Sequence, residues 1–458
     1  MASSMKHHLQ NAVLGEGLRY VEKNPEENVL KLVRWLRPFA KIPRHKMILN
    51  YAEEVLQDPH SSWRQMVERA FTQLEPIVRR RFLSNFLLNA NLLGIPARDK
   101  LTQEHDVGVP WAILMDPTSR CNMNCIGCWA KDYDRHADLE LAELDRIVTE
   151  GKSLGIYMYL FSGGEPLLRA SDIVYLARKH VDCMFLAFTN GSLVDEQLAA
   201  DLAGVGNVLL AISVEGFSEN NDRRRGAGSY DHTVRAMQLL RNAGVGFGFS
   251  TCYHRENTAE VVSDSFIDLM VEQGCFFGWY FTYVPLGEGD HASLLATPDQ
   301  RRHMYDRVRK LRTEKPIFLM DFWNDGEYVH GCIAGGRTYM HINAHGDVEP
   351  CAFIHYSDVN IHDVSLWEAL HSKLFRQYRL HQPFNDNHLR PCPLLDNPNA
   401  LAAMVQKSGA VSTQRHNPES VETLTCKCHE PAAAWQPVAD SLWADRQEQQ
   451  KATEKVGV

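Results

Sequence analysis

Apolar residues along the chain keep two different periods. Up to about residue 105 the period is helical, with no strand-like alternation. In "NVLKLVRWLRPFAK", Val29, Leu32, Val33 and Leu36 recur at i, i+3, i+4 and i+7, a stripe that Pro38 ends. A second helix is predicted through "PIVRRRFLSNFLLNANLLG", opened by Pro76 and stopped by Gly94. From Pro110 to about Lys315, short apolar runs alternate with longer amphipathic ones. Strands are predicted over 111–118, 157–164, 183–191, 207–216, 246–253 and 276–285. Helical stretches such as "ELAELDRIVTEGKSLG" and "DHTVRAMQLLRNAG" lie between them and close near Gly, Lys or His. Six βα units without a hairpin signal predict a parallel sheet flanked by helices. Six are too few for the eight-stranded barrel, so the fold class is α/β, an open partial barrel. Chemistry in such folds gathers just beyond the C-terminal ends of the strands.

Composition narrows the function classes. Net charge is −9, which argues against binding nucleic acid over a broad surface. No run approaches the ~18 apolar residues of a membrane span. The first residues, "MASSMKHHLQ", have no apolar h-region, so a cytoplasmic location is expected. Between Asn28 and Ala52 there are six Lys or Arg and no acid. Two readings stand side by side here. The commoner is a helical cap with a solvated basic face; the other is peripheral contact with the inner membrane face.

All 11 cysteines lie at or after Cys121, and in a reducing compartment clustered thiols point to metal or catalysis more than to disulfides. Cys121, Cys125 and Cys128 follow the first predicted strand as C-x3-C-x2-C. Three thiolates on one loop can hold three corners of an iron–sulfur cubane and leave one iron open. A closed zinc site would need a fourth local ligand, and His136, the nearest candidate, is accompanied by no second C-x2-C pair. Beyond the second strand comes "SGGEP", with Gly163, Gly164, Glu165 and Pro166. "TNG" (Thr189–Gly191) follows the third strand, and "SVEG" the fourth, with Ser213 and Glu215. "DRRRG", containing Arg225, comes next, and Ser250 ends the series of strand-end candidates. The loop "YVPLGEG" (283–289) is a weaker candidate. Cys183, Cys252 and Cys275 sit in or beside apolar strands and read as small core residues.

In that order along the chain, these motifs resemble the signature of the radical SAM superfamily. The resemblance implies a partial (β/α)6 barrel, and a 4Fe–4S cluster on Cys121, Cys125 and Cys128 whose open iron binds S-adenosylmethionine. It places Gly163, Gly164, Glu165 and Pro166 at the SAM ammonium and Asn190 nearby. Ser213 and Glu215 would face the ribose, Arg225 the carboxylate, and Ser250 the same site. One departure is plain: the family often has an aromatic residue just before the third cysteine, and here it is Gly127. Ile126 or Trp129 is expected to shield the cluster instead.

"GCIAGGRTYMHINAHGDVEPCAF" carries Cys332, Gly346 and Cys351 as C-x13-G-x4-C, which resembles the opening of a SPASM domain. The dense cysteine core of a full SPASM domain is absent. Cys392, Cys426 and Cys428 remain, enough for one four-thiolate cluster. The resemblance therefore implies a shortened, twitch-like domain with a second, auxiliary 4Fe–4S cluster. Cys332, Cys351 and Cys392 would be ligands, with Cys426 or Cys428 the fourth; a mononuclear iron or zinc site on the same residues is the alternative. The expected division is a helical region over 1–107, the barrel over 108–320, the auxiliary domain over 321–435 and a polar tail over 436–458, frayed over its last part, 444–458.

The expected activity is reductive SAM cleavage to a 5′-deoxyadenosyl radical, which takes hydrogen from a substrate carbon. A flavodoxin- or ferredoxin-type protein is the expected electron donor. For substrate, the first expectation is a lipid or other hydrophobic small molecule, with C–C bond formation among the outcomes. It rests on likeness to tetraether lipid synthases and pterin-modifying enzymes and on the basic N-terminal helices. Modification of a ribosomal peptide is the alternative, and a non-catalytic iron–sulfur scaffold the third reading.

Overall fold

Ala112–Met115 (β1) is apolar and buried at every position, as expected of a strand covered on both faces. It pairs in parallel with Met158–Phe161 (β2), in register from Ala112↔Met158 to Met115↔Phe161. The series continues in parallel through Met184–Thr189 (β3), Val208–Ser213 (β4), Phe247–Tyr253 (β5) and Phe277–Thr282 (β6). All six strands fall inside the predicted runs. The computed structural model describes residues 16–17, 20–21, 23–39, 43–287 and 292–456.

The sheet is larger than six strands. Phe318–Asp321 (β7) joins β6 in parallel at one edge. Tyr339–Ile342 (β8) joins β1 in parallel at the other, followed by antiparallel Val348–Glu349 (β9). The order is β7-β6-β5-β4-β3-β2-β1-β8-β9. Thus the partial (β/α)6 barrel stands, extended at both edges. Strands β8 and β9, from the segment assigned to the auxiliary domain, belong to the barrel's own sheet.

Side chains alternate between two packed layers. Ile113, Tyr159, Phe185 and Leu210 face the surrounding helices. Their neighbours Leu114, Leu160, Leu186 and Ala211 face inward, toward Phe82, Phe86, Tyr339 and the cysteine-bearing C-terminal segment. The same period sends Phe188, Ser213, Ser250, Cys252, Trp279 and Phe281 inward at the strand ends. Site candidates therefore share one face.

Three expectations change. The helix opened by Pro76 is not stopped by Gly94: it passes through π-helical winding over Phe82–Leu93 and continues as Gly94–His105. A side chain on Gly94 would meet the Gly155 carbonyl at 2.5 Å, so the residue serves close packing rather than termination. The expected frayed end is also corrected, since Val421–Val456 is one helix, with Trp435, Ala439 and Leu442 buried. Finally, the basic N-terminal face is partly neutralised: Arg34 and Arg37 both pair with Glu53 at 2.9 Å, and Lys31 with Glu27 at 2.8 Å. Lys41, part of that basic run, lies outside the described residues. No helix among the described residues is long and apolar enough to cross a membrane.

Candidate functional site

The first thiol group sits on the loop that leaves β1. Its base is tied shut, with the Ser119 N–H donating to the Ala137 carbonyl and the Leu139 N–H to that of Pro117. The Met123 N–H donates to Cys121 Sγ at 3.4 Å, and the Ala130 N–H points at Cys128. Burial pushes the Cys121 thiol up to about 11 and raises that of Cys128. Cys125 and Cys128 lie within electrostatic reach of the Arg224 and Arg225 guanidiniums. Half-buried thiols facing cations and backbone N–H groups are suited to an anionic thiolate cluster.

"SGGEP" braces this loop from beneath. A side chain on Gly164 would stand 2.0 Å from the Arg120 carbonyl oxygen, and one on Gly163 2.6 Å from that of Thr118. The Glu165 N–H donates to the Arg120 carbonyl at 2.8 Å. Both glycines are thus required by the cysteine loop itself. Glu165 is buried and accepts from Thr189 Oγ1 at 2.6 Å and from the Leu167 and Asn190 N–H groups at 3.0 and 2.8 Å. Burial raises its pKa. Pro166 opens the short helix that follows. Asn190 donates through Nδ2 to Asn122 Oδ1 at 2.9 Å, joining the third strand end to the loop.

Glu215 and Arg225, expected at opposite ends of SAM, meet each other. Arg225 donates to Glu215 at 2.6 Å and Arg224 does so at 2.5 Å, all three being buried or nearly so. Burial works against the Glu215 charge, but the two guanidiniums overcome it and hold the carboxyl below its usual range. Ser213 and Ser250 face each other at 3.4 Å. Cys252, read as a core residue, instead faces the site, within electrostatic reach of Arg224, Glu215 and Cys128.

The aromatic wall comes from neither residue expected. Ile126 is largely exposed, and Trp129 points away to His341, Phe353 and His355. Gly127, at φ +63°, leaves space for Tyr283, whose Cε2 would lie 2.5 Å from a Cβ there. Tyr283 is buried and belongs to the weaker candidate loop; Glu288 and Gly289 of that loop lie outside the described residues.

The second thiol group assembles from four segments. Cys351 is within electrostatic reach of Cys332 and Cys392, and Cys428 within that of Cys392. Backbone N–H groups two residues on point at the sulfurs: Ala334 at Cys332, Phe353 at Cys351 and Leu394 at Cys392. Cys428 is buried, whereas Cys426, two positions earlier on the same helix, is exposed. Among the described residues no three His, Cys, Asp or Glu side chains converge on a single-ion site. His136 is exposed.

Between the two groups runs a buried polar chain that the sequence did not reveal. His341 stands 2.9 Å from Asp116 and 2.7 Å from Glu349. Tyr133 donates to Glu349 at 2.9 Å, and Thr413 donates to it as well. Tyr133 leaves the first cysteine loop and Glu349 sits two residues before Cys351, so the chain ties one loop to the other. Arg224 was equally hidden, since nothing in "DRRRG" distinguishes it from its neighbours. A cavity of about 910 Å³ opens beside Cys332, Cys351 and Cys392.

Two segments of the chain match known protein families. Residues 115–264 match the Radical SAM superfamily, and residues 332–393 match the SPASM iron–sulfur cluster-binding domain. An AdoMet-dependent heme synthase of Methanosarcina barkeri is 25% identical over 302 residues, 59% of this chain and 85% of that protein. Mycofactocin maturase MftC of Mycolicibacterium smegmatis is 29% identical over 303 residues, 60% of this chain and 74% of that one. PqqA peptide cyclase of Gluconobacter oxydans is 26% identical over 298 residues, 59% and 79%. The crystal structure of Streptococcus suis SuiB bound to precursor peptide SuiA shares the fold, with a TM-score of 0.54 at 16% identity over 73% of this chain and 79% of that one. These relatives replace the expected likeness to tetraether lipid synthases and pterin-modifying enzymes. The chain is a radical SAM enzyme, a partial (β/α)6 barrel followed by a SPASM domain, and its cofactors are S-adenosylmethionine and iron–sulfur clusters.

Proposed function

We propose that this enzyme abstracts hydrogen from a residue of a peptide substrate. The observation that carries the reading is the pair of thiol groups set around one inward-facing set of strand ends, with a polar chain between them. Similarity to PqqA peptide cyclase supports a peptide over the lipid first expected. When bound, a cluster with one open iron supplies the electron that cleaves SAM to methionine and a 5′-deoxyadenosyl radical.

In this reading Cys121, Cys125 and Cys128 hold the first cluster. Gly163, Gly164, Glu165 and Pro166 support it from beneath and accept the SAM ammonium. Asn190, Ser213, Glu215, Arg225 and Ser250 line the rest of the SAM site, with Arg224 and Tyr283 added to the set. Cys332, Cys351, Cys392 and Cys428 hold the auxiliary cluster, and Cys426 is released from it. A flavodoxin- or ferredoxin-type donor supplies electrons. The partly neutralised charge of the N-terminal helices weakens the case for membrane contact.

The test is 5′-deoxyadenosine formation by anaerobically reconstituted protein with dithionite and SAM. One arm adds a side-chain-deuterated peptide encoded beside the gene; another adds a deuterated lipid extract. Deuterium passing to deoxyadenosine from the peptide supports the reading. Deuterium from the lipid alone overturns it.

A further inference from the structure

The 910 Å³ cavity is built largely from parts of the chain outside both matched segments. Tyr51 and Trp63 come from the N-terminal helices, Trp279 from β6, Phe318 and Phe322 from β7 and its end, and Leu442 from the C-terminal helix. Cys332, Cys351 and Cys392 line part of its wall, so an auxiliary cluster held by them would take some of this volume; the outer remainder still has the size of a site for a bulky side chain.

Two features define what it can hold. The inner end is aromatic: Phe322 lies 5.0 Å from Trp323, and Phe353 lies 5.2 Å from Trp323 and 6.0 Å from Trp129 beside Cys128, centroid to centroid. Rings in such edge and tilted contacts favour a further ring above an aliphatic group. The mouth carries four exposed apolar or aromatic side chains, Tyr51 53%, Phe318 40%, Tyr328 53% and Val329 41%, with the exposed Arg302–Asp306 pair, 4.0 Å apart, beside them. Large apolar side chains gathered around one opening mark a place that a partner covers.

Charge at the rim points the same way. Arg309 pairs with Glu327 at 2.6 Å, Arg446 with Glu327 at 2.9 Å, and Arg312 with Asp325. Cations already matched in this way suit a neutral segment better than a phosphate or a polycarboxylate.

We propose that this cavity is the enzyme's specificity site, seating an aromatic side chain of the peptide substrate while the collar of Tyr51, Phe318, Tyr328 and Val329 covers the neutral residues beside it. The assignment rests on the peptide reading and goes beyond it in naming where the peptide binds and which residue type it presents. The N-terminal helices and the long C-terminal helix each contribute a wall to the cavity.

The test uses the full-length reconstituted protein and the photoreactive peptide Ac-Gly-Ala-(4-benzoyl-Phe)-Ala-Gly-NH2. Irradiation followed by peptide mapping should place adducts on the cavity walls. N-acetyl-tyrosinamide should compete at least fivefold better than N-acetyl-leucinamide. Tyr51→Glu and Tyr328→Glu, both surface positions, should each lower adduct yield at least fivefold with iron content unchanged. Adducts mapping elsewhere, equal competition by the leucine compound, or full yield in both variants overturns the assignment. Free 4-benzoyl-phenylalanine labelling the walls as efficiently as the peptide also overturns it, pointing to a free aromatic metabolite. If the peptide transfers deuterium to deoxyadenosine but its adducts lie outside the cavity, only the location is wrong. Adducts in the cavity without transfer would instead remove the peptide reaction.

Discussion

Tyr283 occupies the space that a side chain on Gly127 would need, with its Cε2 2.5 Å from the position of such a Cβ. The two are more than 150 residues apart in sequence, yet they fit as one unit. A family pattern that places an aromatic residue inside the cysteine loop is met here from the end of β6. Nearby, the Lys427 ammonium donates to the Gly287 carbonyl at 3.1 Å, so the same strap touches the helix that carries Cys428.

Gly127→Ala should therefore damage the first cluster selectively. A non-glycine residue at positive φ costs about 1 kcal/mol, before any clash with the Tyr283 ring. Iron and sulfide analysis should show the first cluster depleted and the auxiliary one kept. Adding Tyr283→Ala removes the clash and should restore part of the iron. Full iron in Gly127→Ala alone would show that the fit is loose.

Gly164→Ala probes the brace beneath the loop. Its Cβ would stand 2.0 Å from a backbone oxygen that cannot rotate away. Overpacking of this kind costs about 1–3 kcal/mol, so the melting temperature should fall by several degrees. Cluster loading at Cys121, Cys125 and Cys128 should fall with it, as read by electron paramagnetic resonance of the reduced protein. An unchanged melting curve would contradict the packing described.

Replacing single cysteines separates the two clusters. Cys428→Ser should lose the auxiliary signal, Cys426→Ser should keep it, and Cys125→Ala should lose only the first. The physical basis is burial: Cys428 lies inside facing Cys392, and Cys426 lies outside. Equal losses from the Cys426 and Cys428 variants would remove the distinction.

Stability should depend on pH through His341. Burial opposes its charge, but Asp116 and Glu349 outweigh it and lift its pKa to about 10, from about 6.5 in the unfolded chain. A raised folded pKa means that the stabilisation is complete below about pH 6.5 and is lost as pH rises through about 10. Thermal melts should therefore show the melting temperature falling from pH 7 to pH 9.5. His341→Gln should be less stable at pH 7, because it leaves two buried carboxylates without their cation, and its curve should be flatter. Parallel curves for the two proteins would rule the imidazolium out.

By itself the sequence determined the strand series, the first thiol group and the brace beside it. Each of these is local. Buried parallel strands appear as unbroken apolar runs, and the three thiols of the first group fit within eight residues of one loop. The glycines of "SGGEP" were equally visible, though their reason was not, since the backbone they admit belongs to the preceding βα unit. The tertiary structure decided whatever depends on segments far apart in sequence. That includes Tyr283 over Gly127, Arg224 beside Arg225 on Glu215, Cys252 on the inner face, and Cys428 rather than Cys426 turned toward Cys392. It also includes β8 beside β1, which carries His341 to Asp116, and the cavity walls drawn from both ends of the chain. No periodicity encodes such meetings, because sheet order and helix rotation set them, and those are fixed only when the whole core packs.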